Sequence, residues 1–342
     1  MRVLVFGAGV IGRVFAARLL SAGHDVQIVA RGETAQLLRS RGITLVRDGV
    51  RPETGRAETV FPVVVTSLSD AVATDVALIA IRRDQVDAAL PQLADIRADV
   101  VASLINLAGG SVATGGADAA GGLSALEAAI GPARFVPAFP GVAGELGEDG
   151  VVRYLQVAQQ PTTIGVSSGR AAQDASAPHA RLRALLRTAN LPVALAGDMN
   201  AWLQTHLIFI SAFESAIAAR DGDVVGLAGD RASVRDIVLA VREGFTALQQ
   251  PGRRPSGAYR PGVTVTPAAL RIIFLRMPAW FAARYWQRQL AGDLGRLGLA
   301  PHAMSARFTE LPALQRDVRA LLAPTILPRL ERLFTAAGAG IR

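Results

Sequence analysis

Arg2-Val3-Leu4-Val5-Phe6 runs directly into Gly7-Ala8-Gly9-Val10-Ile11-Gly12, and these eleven residues decide the fold of the first half of the chain. A short apolar run without alternation predicts a strand buried on both faces, as in a parallel sheet. Arg13 to Ala22 then shows helical apolar spacing at Val14, Ala17, Leu19 and Leu20, Gly23 ends it as a C-cap, and Val26 to Ala30 is a second strand. Strand, Gly-x-Gly-x-x-Gly turn, helix and strand in that order are the context of a dinucleotide-binding turn. Gly7 permits the tight turn, Gly9 lets the backbone approach a pyrophosphate, and Gly12 lets helix and strand pack closely. The first helical residues, Val10 and Ile11, offer the anion N–H groups that have no helical acceptor.

The end of the second strand discriminates between cofactors. A ribose 2′-hydroxyl is held there by Asp or Glu, whereas a 2′-phosphate calls for a cation. The chain reads Ala30-Arg31-Gly32-Glu33, so Arg31, whose guanidinium suits a phosphate monoester, points to NADP, and Glu33 keeps the ribose alternative open. Further strands are predicted at Val60 to Val65, Val76 to Ile81, Val100 to Ile105 and Arg134 to Phe139. The carboxyl ends of parallel strands line the ligand crevice, which makes Arg82 and Gln85 after one strand, and Asn106 after another, candidates for cofactor binding.

The 342 residues suggest two domains. A 51% apolar fraction with 19% charged residues excludes a mainly disordered chain. The longest apolar run, Ile272 to Ala283, is broken by Arg276 and Pro278 and falls short of the ~18 residues a spanning helix needs. There is no cysteine, which excludes disulfides, thiolate nucleophiles and Cys-ligated metals; no metal-ligand spacing occurs, and a reducing cytoplasm is the expected compartment. There is also no lysine, so all 36 basic side chains are arginine, and Schiff-base chemistry or a lysine acid is excluded. The formal charge of +8 is spread along the chain without a basic tract, so no nucleic-acid partner is expected. No membrane partner is expected either.

The turn-rich stretch Ser167 to Pro178 reads as a linker, dividing an α/β dinucleotide-binding domain (1–168) from an all-α domain (177–342). Helices are predicted over His179 to Ala189, Asn200 to Arg220, Arg231 to Gln249, Pro267 to Gly292 with an interruption at Pro278, and Thr309 to Leu322. Gly109 to Gly122 and Gln249 to Gly257 read as loops. Trp280-Phe281 and Tyr285-Trp286 form an aromatic cluster at helical spacing, assigned to core or dimer packing, with an interfacial membrane helix as the alternative. On the helix from Asn200, His206 and Glu214 lie eight residues apart on roughly one side, the arrangement of an acid and its orienting carboxylate. His302 reads as a surface or capping residue.

The opening Met1 to Gly32, the strand ending in Arg82 with Gln85 three residues on, and Ser103-Leu104-Ile105-Asn106 together resemble the ketopantoate reductase family of 2-dehydropantoate 2-reductase-like oxidoreductases. The resemblance implies a Rossmann domain followed by a helical domain, NADPH as hydride donor and a small 2-oxo acid or related carbonyl as substrate. It also implies a cofactor or substrate contact at Arg82 and a role near the nicotinamide for Asn106. Family members carry an acid–base lysine shortly after a tryptophan on the first long helix of the second domain. Aligning on Trp202 places Gln204 there, and the family's two following asparagines become Ile208 and Ala212. Glutamine does not titrate, which leaves His206 as the candidate substitute. The expectation is therefore an NADP-dependent cytoplasmic reductase, forming a homodimer, with a non-catalytic dinucleotide-binding protein as the alternative.

Overall fold

The computed structural model describes residues 1–47, 57–108, 122–157, 160–166, 176–249 and 270–339. The chain forms two compact units, Met1–Ile105 with Ala120–Met199, and Asn106–Ala119 with Asn200–Arg342. The first is α/β and the second helical, as expected. The strands are β1 (Arg2–Phe6), β2 (Asp25–Val29), β3 (Ile43–Arg47), β4 (Glu58–Val60), β5 (Val63–Val65), β6 (Thr74–Ile79), β7 (Ala98–Leu104), β8 (Phe135–Phe139), β9 (Val142–Leu146), β10 (Val151–Gln156), β11 (Thr162–Gly165) and β12 (Val193–Ala196). Helices α1 (Val10–Ser21), α2 (Gly32–Arg41), α3 (Val86–Leu93), α4 (Leu123–Ile130) and α5 (Ser176–Thr188) complete the first unit.

Eight strands form one sheet in the order β5-β2-β1-β6-β7-β8-β11-β12. From β5 to β8 every pairing is parallel, with Val5 opposite Ile28 on one side and Leu78 on the other. β11 then runs antiparallel to β8, and β12 parallel to β11. Val3, Leu4, Val5 and Phe6 are all buried, which is why β1 reads as an unbroken apolar run. β4, β3, β10 and β9 form a second, smaller sheet.

Three expectations change. The predicted strand Val60 to Val65 is two strands in different sheets, β4 and β5, parted at Phe61-Pro62, where proline has no N–H for a ladder. Helix α1 is buried nearly all round instead of along one stripe, because the small sheet packs on it as well as β1 and β2. The first unit also extends to Met199, past the boundary drawn at 168–177, since α5 buries Leu182, Leu185 and Leu186 in its core and β12 pairs with β11. The predicted linker falls mostly outside the described residues, as do most of the two predicted loops.

The second unit is built on α6 (Met199–Ala218), followed by α7 (Val224–Gly229), α8 (Arg231–Ala247), a π-helical turn at Ile272–Arg276, α9 (Ala279–Ala291), α10 (Ala300–Ala306), α11 (Glu310–Leu322) and α12 (Pro328–Ala339). Pro278 interrupts the predicted long helix as expected, standing immediately before α9. Phe209, Phe213, Phe274 and Trp286 meet with ring centroids 4.7–6.5 Å apart and form its aromatic centre. Of the four residues in the predicted aromatic cluster, Trp286 belongs to this core, whereas Trp280 and Phe281 are exposed.

Candidate functional site

β1 lies between β2 and β6, so chain connections leave it toward both sides of the sheet and open a crevice at the carboxyl ends of β1 and β6. The glycine turn sits there. Gly7 has φ +113°, and a Cβ on it would strike the Ala80 carbonyl at the end of β6. A Cβ on Gly12 would overlap the Gly7 carbonyl. These two glycines are demanded by packing. Gly9 differs: its backbone is extended (φ −75°, ψ −170°), and a Cβ there meets no atom within 4 Å. The fold has no need of glycine at this position, and what its missing side chain leaves is open space before the first turn of α1. Val10 and Ile11 turn their backbone N–H groups out of the helix end at that place while their side chains pack on the core. Open space in front of unpaired helix-end N–H groups has the chemistry to take an anion such as a pyrophosphate.

Arg13, which the sequence reading passed over, stiffens the turn. Its Nε donates to the Ala8 carbonyl at 2.8 Å, and its backbone N–H donates to the Gly9 carbonyl at 3.0 Å. Burial pulls its pKa below the usual arginine range. A lone arginine right after the third glycine of an otherwise apolar helix start was the available signal.

Arg31 stands directly after β2 as the N-cap residue of α2, exposed, with Nη2 donating to Gln92 Oε1 of α3 at 2.6 Å. That contact occupies one guanidinium donor and leaves the others for a ligand. Glu33 lies in the first turn of the same helix. Arg82, after β6, forms a two-pronged ion pair with Asp84 at 3.0 and 3.1 Å. Gln85 Oε1 accepts the Arg82 backbone N–H at 3.1 Å, so Gln85 shapes the turn that carries Arg82. Asn106 follows β7 by two residues, and its Oδ1 is buried without a hydrogen-bond partner among the described residues. A buried carbonyl oxygen left in that state costs about 1–3 kcal/mol and marks a group suited to a further donor. The glycine cradle and the two strand-end arginines therefore fit a dinucleotide.

In the second unit the expected pairing is replaced by another. Glu214, fully buried on α6, hydrogen-bonds His302 Nδ1 of α10 at 2.5 Å rather than His206, and His302 Nε2 lies 3.6 Å from Glu310 of α11. His302 is thus no mere cap: it joins two buried carboxylates on different helices. His206 instead stacks on Trp202, with rings 10° from parallel and 5.1 Å apart. Its burial, and secondarily its charge interaction with His302, pushes its pKa down to about 3. A histidine in that state is neutral near pH 7 and is no reservoir of protons. Gln204 is buried on the same helix. At 100° per residue, Asn200, Gln204, Ser211 and Ser215 fall within about 60° of one another, a polar row on an otherwise apolar core helix. Ser215 Oγ accepts Gln315 Nε2 of α11 at 2.9 Å. Among the described residues no group of three or more His, Asp or Glu side chains is arranged to hold a metal ion.

Residues 3–169 match the family model of ketopantoate reductase PanE/ApbA. A 2-dehydropantoate 2-reductase of Mesorhizobium japonicum is 33% identical over 101 residues; the matched stretch is 29% of this chain and 29% of that protein. Among solved structures, the 2-dehydropantoate 2-reductase of Geobacter metallireducens GS-15 superposes with a TM-score of 0.70 at 16% identity, covering 99% of this chain and all of that one. A D-mandelate dehydrogenase solved with NADH and anilino(oxo)acetate gives 0.67 at 12% identity, covering 99% of this chain and 98% of the other. At these identities the structural likenesses establish the fold.

Proposed function

We propose, from the match of residues 3–169 to the ketopantoate reductase PanE/ApbA family model, that the chain is an NADP-dependent oxidoreductase reducing a small 2-oxo acid or related carbonyl. The observation that carries the reading is Gly9, where the fold would accept a side chain and the space in front of the helix end is nevertheless kept clear. The bound nicotinamide would supply the hydride. The chain supplies the rest. Gly7, Gly9 and Gly12 with the N–H groups of Val10 and Ile11 hold the pyrophosphate, and Arg31, braced by Gln92, takes the 2′-phosphate. Arg82, kept in place by Asp84 and Gln85, and Asn106 complete the cofactor contacts.

Reduction of a carbonyl also needs a proton and a partner for the developing alkoxide. Gln204 stands at the place of the family lysine and His206 is uncharged near neutrality, so both serve as neutral hydrogen-bond donors to the alkoxide, and the proton that completes the alcohol is taken from water. Ketopantoate turnover is accordingly slow, since losing a positioned general acid costs roughly 10²–10⁴-fold. NADPH oxidation across a panel of 2-oxo acids that includes ketopantoate tests the proposal: at least one substrate should support steady turnover well above ketopantoate. Tight NADPH binding with no oxidation by any member would instead mark a non-catalytic dinucleotide-binding protein.

A further inference from the structure

Helix α9 divides its aromatic residues between two faces. Ala282, Ala283, Trp286 and Leu290 are buried in the core. The opposite face carries Trp280, 62% exposed, and Phe281, 45% exposed, together with the exposed Arg284 and Arg288. On a helical wheel these four side chains lie within about 100° of one another, with Trp280, Arg284 and Arg288 spaced four residues apart. The turn before α9 extends the same composition with the exposed Ile272 (46%) and Arg276. From Leu270 to Gly292 there are four arginines and not one acidic residue. Among the described residues, Arg276, Arg284 and Arg288 make no ion pair. The face is held firmly: Arg242 of α8 donates from Nε to the Phe274 carbonyl at 2.5 Å and from Nη2 to the Met277 carbonyl at 2.6 Å.

We propose that this face of α9 docks on the surface of a membrane containing anionic phospholipid. Three unpaired guanidinium groups on one face call for negative charge, and each presents a fork matched to phosphate oxygens. Tryptophan and phenylalanine beside them are suited to the headgroup level, where an amphipathic ring meets both water and acyl chain. Arginine stems lie along apolar surface while their heads reach phosphate. A second copy of the chain is disfavoured as occupant, because a two-fold contact through this face would bring three unpaired arginines against three more. Nucleic acid would answer the charge but would leave Ile272 and Phe281 against a polar backbone. No helix among the described residues is long and apolar enough to cross a membrane, so the contact is peripheral. The proposal departs from the expectation of no membrane partner, which rested on the missing spanning segment, and it is independent of the cofactor reading.

The test is co-sedimentation of the full chain with vesicles of phosphatidylcholine alone or containing about one third phosphatidylglycerol. The chain should sediment with the anionic vesicles, stay in solution with the neutral ones, and be released at high salt. Fluorescence supplies a second readout, since Trp202 and Trp286 are 2% and 4% exposed and only Trp280 can shift strongly to the blue on contact. Trp280→Ser should abolish that shift, and the double variant Arg284→Glu with Arg288→Glu should bind at least ~30-fold more weakly, both with unchanged thermal melts. The proposal is overturned if the unmodified chain ignores anionic vesicles or if the variants bind them equally well. It is likewise overturned if sedimentation equilibrium shows a dimer that Trp280→Ser dissolves, or if the face binds a single-stranded oligonucleotide and not vesicles.

Discussion

Replacing Gly9 by valine separates the two reasons a chain keeps a glycine. In the folded protein the new Cβ meets no atom within 4 Å, and the backbone at φ −75° and ψ −170° is one that any L-residue adopts. Gly9 is the N-cap of α1 but supplies no side-chain cap, so nothing of that kind is lost. Valine also narrows the unfolded ensemble, which offsets its poor fit to an N-cap; the net stability change should stay within about 0.5 kcal/mol. Binding should behave differently. The valine methyls fill the approach to the N–H groups of Val10 and Ile11, and each hydrogen bond to a charged oxygen is worth roughly 1.5–3 kcal/mol. Losing two gives about 3–6 kcal/mol, or ~10²–10⁴-fold in the dissociation constant for NADPH. Gly12→Ala is the opposing control. Its methyl overlaps the Gly7 carbonyl, so the turn must shift, with about 1–3 kcal/mol of overpacking cost and a visibly lower melting temperature. Thermal melts and NADPH fluorescence titration of both variants decide the matter. A Gly9→Val protein that binds NADPH within threefold of the unmodified chain, or that fails to fold, would refute the assignment of the cradle.

NADPH should bind at least tenfold tighter than NADH, and Arg31→Ala should remove most of that ratio, about 1.5–3 kcal/mol for a charged hydrogen bond. Gln92→Ala, which frees Arg31 from its 2.6 Å anchor, should erode the same ratio by a smaller factor without touching NADH affinity; an unchanged ratio would show that Gln92 plays no part. His206 is predicted to make stability fall with acid. Its folded pKa of about 3 lies below the unfolded value near 6.5, so the unfolded chain takes the proton first, and roughly 2 kcal/mol should be lost between pH 7.5 and 5. Urea unfolding at both pH values should show that loss shrinking in His206→Leu, and equal losses in the two proteins would contradict it. His302→Ala removes the hydrogen-bond partner of the buried Glu214 carboxylate, which should cost about 1–3 kcal/mol, measurable as a lowered urea midpoint; an unchanged midpoint would show that the contact contributes nothing.

How much of this was legible beforehand depended on how local the cause was. The strands Arg2 to Phe6 and Val100 to Ile105 and the glycine turn were readable because a buried parallel strand and a tight strand-to-helix turn impose their demands on adjacent residues. The split of Val60 to Val65 was legible only in Pro62, since nothing local says that β4 will leave for a sheet formed with β3 and β10. Helix α6 marks the limit. Almost every position from Met199 to Ala218 is buried, so no amphipathic stripe distinguishes inside from outside, and periodicity cannot say which helix will cover His206 and which Glu214. The partner of Glu214 is 88 residues away, on α10, and arrives there through the packing of helices whose own patterns specify an apolar face and nothing about charge. Reading the pair His206 and Glu214 from their spacing was sound for an exposed helix, where neighbours on one face meet each other first. In an enclosed helix each side chain meets whatever packs against it instead. The acid–base chemistry of this chain is therefore set at the level of tertiary packing, and a polar residue inside a uniformly apolar helix is best read as a contact with an element distant in sequence.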